Sequence, residues 1–496
     1  MKTFLSIDLG AGSGRVIAMR YDGAKLISET VNRFDNSPVE LSGHIYWNIP
    51  ALITSIREGL VAAHRKYGEI ASVGVDTWGV DYAFLDKSGR ILGLPYAYRD
   101  SRHNAENTER AFAKVGGRRS LYNATGIQIM PFNTVFQLNA ERGETDSLLD
   151  KSARLLFTPD LINYLLCGEC ANEATIASTS QLIDIRTRDW SETLLTQLNI
   201  PRHLLTTPVQ PGQILGKIRN VPGLENVPLC TVGSHDTASA VASVPAGWGE
   251  ASRRTSWGYI ATGTWALIGA EIDTPIISDL SYDYNWTHEG AVNGAFRFLR
   301  NCTGMWMIQE LRRAWADPAT AQLPDYDTLM REAQSAAPFK FLIDPDYPEF
   351  AAPGEMPRKV ADFCRRTGQN IPQTRGEFYR AVMEGIVMRY REVWGELEQL
   401  TGVRREAVNI IGGAIKDEMH CRMTADALAT PLECGPVEGA SMGNAIAQMV
   451  ASGDLKSFAE GRALVAASVD VKRWEPENPG VWDAPFAAWQ QMKARG

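Results

Sequence analysis

Apolar residues follow two rhythms along this chain. Short, mainly apolar runs alternate with longer stretches in which apolar residues recur at three- and four-residue spacing, the signatures of buried strands and amphipathic helices. The first run, Phe4 to Ile7, leads into Asp8-Leu9-Gly10-Ala11-Gly12-Ser13-Gly14-Arg15, and a second β-like run, Val16 to Tyr21, leads out. Strand signals continue to about Phe34. From Pro50 to Lys66 the pattern is helical, with Leu52, Ile53, Ile56, Leu60 and Ala63 on one face and Gly68 as the stop. Ile70 to Asp76 reads as a buried strand ending in Thr77-Trp78-Gly79, followed by a strand over Val80 to Leu85 and a turn at Asp86 to Gly89. A polar helix follows Tyr98-Arg99-Asp100-Ser101-Arg102, with Asp100 or Ser101 as its expected N-cap. Further helices are predicted near Asn133 to Glu141 and Pro159 to Leu166, the latter capped by Thr158.

The later half repeats the opening pattern. Val227 to Val232 reads as a strand, and the small residues from Gly233 to Ala242 start a helix at a tight turn, with Asp236 near its N-terminus. Pro245 to Ser256 is polar and Gly-rich, the mark of a domain boundary. Gly258 to Gly269 is again strand, glycine turn, strand. A long helix spans Glu377 to Leu400. Thr374 and Glu377 sit at capping-box spacing, Val382, Ile386, Tyr390, Val393 and Leu397 share a face, and Gly402 ends it. Val408 to Ala414 is a strand into a glycine turn, with a helix from about Asp417 to Ala429, and Gly435-Pro436-Val437-Glu438-Gly439 opens another helix ending near Gly453. The chain thus reads as two hairpin-led α/β units, residues 1–247 and 248–496.

Composition narrows the class. At 496 residues the chain exceeds a single core. Hydrophobic content of 44% with 22% charged residues is that of a globular protein in water. A net charge of −8 without a dense Lys/Arg block argues against nucleic acid or an anionic membrane as partner. No run approaches a membrane span, and the short apolar start is no signal peptide. Seven scattered cysteines fit reduced thiols and a cytoplasmic location. Cys167 and Cys170 form a CxxC with no second pair nearby, so a metal role is not expected.

The candidate chemistry starts at the opening hairpin. Three glycines at alternate positions allow φ > 0 and let backbone N–H groups face an anion. The Lys-Ser/Thr ending of a P-loop is absent, and Arg15 stands where the dinucleotide fingerprint needs its third glycine. Two readings stay open: a tip that holds phosphates, with Asp8 beside it for a hydrated Mg²⁺, or an ordinary Gly-rich hairpin. Asp76 and Trp78 offer a hydroxyl acceptor and an apolar face to a sugar, or are a capping acid and a core ring. Asp236, flanked by His235 and Thr237, is a helix cap or a functional carboxylate.

These segments resemble the FGGY carbohydrate kinases. The matching stretches are Asp8 to Arg15, Val75 to Tyr82, Tyr98 to Arg102, Ser234 to Val241, Gly263-Thr264-Trp265, Phe298 to Asn301 with Gly304 to Gln309, and Gly435 to Glu438. Thr77-Trp78-Gly79 and Ser234 to Val241 are most similar to the rhamnulokinase branch. The resemblance implies two ribonuclease-H-like lobes, of the actin and hexokinase type, around a central nucleotide and sugar cleft. It implies that Ala11, Gly12, Ser13, Gly14 and Arg15 hold ATP phosphates and that Thr264, Gln309 and Gly413 contact the nucleotide. Gly79, His235, Thr237 and Asn301 match sugar contacts, and Asp236 matches the catalytic base. Together with Asp76 and Trp78 these make the expected sugar site. One departure stands out: the family's third glycine and Gln-Asn pair are replaced in Gly412-Gly413-Ala414-Ile415-Lys416-Asp417. The expected activity is ATP- and Mg²⁺-dependent phosphorylation of a ketose, L-rhamnulose first, with L-fuculose, L-xylulose or L-ribulose as alternatives. An actin-like nucleotide switch is the reading from another class. Expected partners are a small-molecule ketose and ATP, not nucleic acid or membrane, and a homodimer is a candidate assembly.

Overall fold

Asp8 lies directly opposite Arg15 across an antiparallel hairpin of Lys2–Leu9 and Ser13–Tyr21. The structure, a computed structural model, describes residues 1–245 and 256–494, so most of the Pro245–Ser256 boundary stretch lies outside the described residues. Leu26–Asp35 extends the hairpin antiparallel. On the other edge Ser72–Thr77 runs parallel to Lys2–Leu9, bringing Asp76 opposite Asp8. Pro228–Thr231 follows in parallel, and Gln213–Lys217 closes the sheet antiparallel.

Period-two alternation gives this sheet two apolar faces. Leu5, Ile7, Leu9, Val16 and Ala18 belong to a core with Leu52, Ile56, Leu60 and Ala63 of the helix Ile49–Tyr67. Phe4, Ile17 and Met19 pack with Met442, Ala445, Ile446 and Met449 of the helix Gly439–Ala451. A strand buried on both faces carries no polar stripe, which is why Phe4 to Ile7 is apolar but for Ser6, whose buried hydroxyl donates to the Ser441 carbonyl at 2.9 Å.

The second sheet repeats the scheme. Trp257–Thr262 pairs antiparallel with Trp265–Ile272 and parallel with Ala407–Gly412. Leu432–Cys434 follows in parallel, and Lys472–Trp474 closes antiparallel. Phe296–Thr303 and Thr287–Gly290 continue beyond the hairpin. Both sheets share strand order and direction from the hairpin outward, the ribonuclease-H-like arrangement expected. The chain divides into two compact units. One comprises Met1–Trp248, Glu271–Phe298 and Glu438–Val469; the other comprises Gly249–Ala270, Leu299–Val437 and Asp470–Gly496.

Several local expectations change. The polar helix begins at Ala105, and Asn104, not Asp100 or Ser101, caps it by accepting the Asn107 N–H. Asp100 instead accepts the N–H groups of Ile45 and Arg102. Thr158 does not cap its helix: its hydroxyl donates to the Asp81 carbonyl. Thr374 does cap Arg375–Thr401, but Glu377 reaches back to the Gln373 N–H. None of Gly10, Gly12 and Gly14 has positive φ. At Gly14 a Cβ would sit 2.1 Å from the Phe34 ring, so that glycine is required by packing rather than by backbone freedom.

Candidate functional site

Adjacent strands place Asp8 and Asp76 side by side at the C-terminal end of the first unit's sheet. Asp8 accepts from Arg15 at 2.5 Å and from the Ser441 hydroxyl at 3.2 Å. Arg15 also donates to Glu438 at 2.5 Å. Burial works against the Arg15 charge, but Asp8 and Glu438 outweigh it and raise the guanidinium above its ordinary value. Asp76 is wholly buried. Its Oδ2 accepts from Asn444 at 2.6 Å, and its Oδ1 has no partner among the described residues. Burial, reinforced by the Asp8 charge, pushes the Asp76 carboxyl well above the usual carboxylate range.

Asp236 is the first residue of the helix Asp236–Ala242, with His235 at the cap position. About 31% of its side chain stays exposed. It accepts from the Thr237 hydroxyl at 3.0 Å. Burial, with Asp8 adding to it, raises this carboxyl, while the adjacent His235 opposes the shift. Such a carboxyl is a better proton acceptor than a free one.

The backbone before Asp236 is stitched in place. The Glu173 carboxylate accepts from Thr175 N–H, Ile176 N–H, the Thr175 hydroxyl and Ser234 N–H. His235 N–H donates to the same Thr175 hydroxyl, and Thr77 N–H donates to the Ser234 carbonyl. Thr77 is thereby tied to the turn that carries Asp236. Burial pushes Glu173 up to about 7 despite its donors.

Trp78 packs its ring on Trp47, with centroids 4.1 Å apart. Both indole N–H groups donate to Asp81, at 2.9 and 2.6 Å. The Trp78 ring is thus built into the aromatic core. Gly79 approaches Thr179, whose hydroxyl would lie 3.2 Å from an added Cβ. Val80 has φ +70, a strained value for a β-branched residue. Thr179 accepts its N–H and Thr134 donates to its carbonyl, and the strand expected from Val80 begins at Tyr82.

In the hairpin loop Ala11 and Ser13 are half-buried and Gly12 is exposed, with open space where its Cβ would be. In the second unit Thr264 sits at the corresponding turn. Its carbonyl accepts from Gly304 and Trp306, and the Gly263 carbonyl accepts from Met305. Those bonds anchor the turn to the start of the helix Trp306–Ala314, which carries half-buried Gln309. Asn301 is half-buried on Phe296–Thr303. Gly412 has φ +101, and its Cβ would strike the Thr262 carbonyl at 2.2 Å. Exposed Gly413 then opens a single tight turn, Gly413–Lys416. Ala414 takes part without positive φ. Asp417 is engaged in capping Glu418–Leu428, accepting His420 N–H and the Tyr379 hydroxyl.

Among the described residues no group of three or more His, Cys, Asp or Glu side chains is placed to hold a metal ion. Mg²⁺ does not require such a cage, since it keeps waters and takes one or two carboxylates plus substrate phosphates. Asp8 and the unpartnered Asp76 oxygen are donors of that kind. All seven cysteines are free, including Cys167 and Cys170. No described helix is long and apolar enough to cross a membrane.

Sequence reasoning missed Glu173, Glu289, Arg297, Ser441 and Asn444. Ser441, Asn444 and Gln448 form a polar row at helical spacing on an otherwise apolar helix, a signal open to periodicity. Glu173 and Arg297 had none: beyond their local partners, the bonds that matter run from Glu173 to Ser234 and from Arg297 to His235, across 61 and 62 residues of sequence.

Residues 3–242 match the FGGY family of carbohydrate kinases, N-terminal domain, and residues 258–452 match its C-terminal domain. A rhamnulokinase of Bacteroides thetaiotaomicron is 38% identical over 489 residues, 98% of this chain and 98% of that protein. A rhamnulokinase of Bacillus subtilis is 35% identical over 96% of each chain. Among solved structures, a ligand-bound xylulose kinase from Lactobacillus acidophilus superposes with a TM-score of 0.80 at 15% identity, covering 100% of this chain and 98% of that one. Plasmodium falciparum glycerol kinase with ADP gives 0.77 at 16% identity, covering 100% and 98%.

Proposed function

The chain belongs to the FGGY family of carbohydrate kinases and is an ATP-dependent sugar kinase, and from that premise we propose that its substrate is L-rhamnulose. The γ-phosphoryl group of ATP goes to a ketose hydroxyl, giving L-rhamnulose 1-phosphate, in the cytoplasm. The observation that carries the substrate is the 38% identity to a rhamnulokinase over 98% of both chains.

Asp236 is the proposed general base. An aspartate cannot deprotonate an alcohol in the ground state; it accepts the proton as the oxygen attacks phosphorus. Its raised affinity for protons, from burial and from Asp8, suits that step. His235, Thr237, Gly79 and Asn301 are proposed sugar contacts, and Asp76 and Trp78 shape the site from behind. Ala11 to Arg15, Thr264, Gln309 and Gly413 are proposed nucleotide contacts. Asp8 is the proposed carboxylate for Mg²⁺, which when bound offsets phosphate charge. Arg15 holds Asp8 in position.

The test is a panel of ketoses with ATP and Mg²⁺. L-Rhamnulose should give the highest kcat/KM. A higher value with L-fuculose, L-xylulose or L-ribulose would replace the substrate.

A further inference from the structure

Three polar groups surround the one histidine beside Asp236. Arg297 is wholly buried. Its Nη2 donates to Glu289 Oε2 at 2.9 Å and lies 2.9 Å from His235 Nδ1. Its Nε donates to the Gly290 carbonyl at 2.9 Å. Glu289 Oε2 is 3.2 Å from the same His235 Nδ1. The opposite ring nitrogen, Nε2, lies 3.5 Å from Asp236 Oδ1.

A guanidinium can only donate. At 2.9 Å from Arg297 Nη2, Nδ1 of a neutral imidazole must accept. The ring proton then sits on Nε2, the nitrogen facing Asp236. Glu289 alone would select the other tautomer, because a carboxylate at 3.2 Å invites a proton on Nδ1. Arg297 prevents this in two ways, by occupying Nδ1 and by neutralising Glu289. Glu289 stays ionised: burial opposes its charge, but the Arg297 guanidinium beside it brings it down to about 2. A fully buried guanidinium is costly, and Arg297 Nη1 has no partner among the described residues.

We propose that Arg297, braced by Glu289, is a positioning residue that locks His235 in its Nε2–H tautomer. His235 then offers an N–H to the Asp236 carboxylate and to a sugar oxygen bound against it. The orientation of the proton acceptor is thus set from inside the fold. The proposal rests on the reading of Asp236 as the base, but its first readout does not involve activity.

That readout is ring-¹⁵N NMR of histidine-labelled protein, with the His235 signals identified by their loss in His235→Asn. Wild type should show Nδ1 bare and Nε2 protonated. In Arg297→Met, the freed Glu289 should draw the proton to Nδ1. The same variant should lose about tenfold or more in kcat, a fraction of a general-base effect, with KM for ATP unchanged. Glu289→Gln, which keeps Arg297, should retain the wild-type tautomer. A protonated Nδ1 in wild type overturns the proposal, as does a folded Arg297→Met with an unchanged tautomer. If Arg297→Met fails to fold, the wild-type spectrum still decides. Retained activity in Asp236→Asn would remove the base while leaving the tautomer result standing, so the two failures are distinguishable.

Discussion

Asn444 donates its side-chain amide to Asp76 across 368 residues of sequence, at 2.6 Å. The amide's orientation is set by Gln448, whose Nε2 donates to Asn444 Oδ1 at 2.7 Å. Asn444 therefore presents N–H, not C=O, to a buried carboxyl. Asn444→Asp would put two carboxyls within hydrogen-bond distance, where both cannot ionise. One then holds its proton to a higher pH in the folded state than in the unfolded state. The folded state is favoured while that proton is present and loses ground as pH rises. The melting temperature of Asn444→Asp should thus fall further below wild type at pH 8 than at pH 5. An equal deficit at both values would remove Asn444 as the donor to Asp76.

Asp236→Asn is nearly isosteric and should fold. As loss of a general base it should cost ~10²–10⁴-fold in kcat, with far smaller changes in sugar and ATP affinity. Steady-state kinetics on the best ketose read this directly, and near-normal kcat would end the assignment.

The hairpin glycines separate two roles. Gly14→Ala drives a methyl into Phe34 and Leu9 and should destabilise the protein by about 1–3 kcal/mol. Gly12 has open space where a Cβ would be, so Gly12→Val should melt like wild type. A branched side chain there screens the loop's N–H groups, so KM for ATP should rise by about tenfold, the value of one hydrogen bond to a charged group. Unchanged ATP kinetics in Gly12→Val would exclude phosphate binding by this loop.

Asp81 is buried under Trp47, Trp78, Tyr98 N–H and Gln137, all donating to it. Burial still pushes it up to about 6. Its folded pKa exceeds its unfolded one, so it favours folding most below about pH 4 and loses that contribution as pH rises through 6. Asp81→Asn keeps an acceptor for the indoles and removes the titration. Between pH 4 and 8 the stability of the variant should gain on wild type by at most about 3 kcal/mol. Parallel pH profiles would show that Asp81 does not titrate in this range.

The hairpins, the helix Ile49–Tyr67 and the long helix after Thr374 were legible because each follows one period and ends on a glycine. Asp100 and Thr158 misled because a short polar side chain before a helix predicts a cap only if no nearer partner competes. Ile45 N–H claims one and the Asp81 carbonyl the other. The place of Asp236 at the start of a helix was legible, because a strand running into small residues marks a tight turn into a helix. The Arg297–Glu289 bracket was not, since nothing in a lone buried Arg says which distant histidine it will touch.

The helix Gly439–Ala451 and the residue before it reach the opening strands through Glu438 to Arg15, Ser441 to Asp8 and Asn444 to Asp76. Synthesis runs from the other end. The ribosome makes Asp8 and Asp76 early, but their partners emerge only when most of the chain has been translated. Until then one face of the first sheet, with Phe4, Ile17 and Met19, has no cover, and Asp76 has no donor. The nascent first half is therefore an unfinished layer rather than a free-standing module. The bonds that hold Arg15, Asp8 and Asp76 thus wait for the arrival of a late segment.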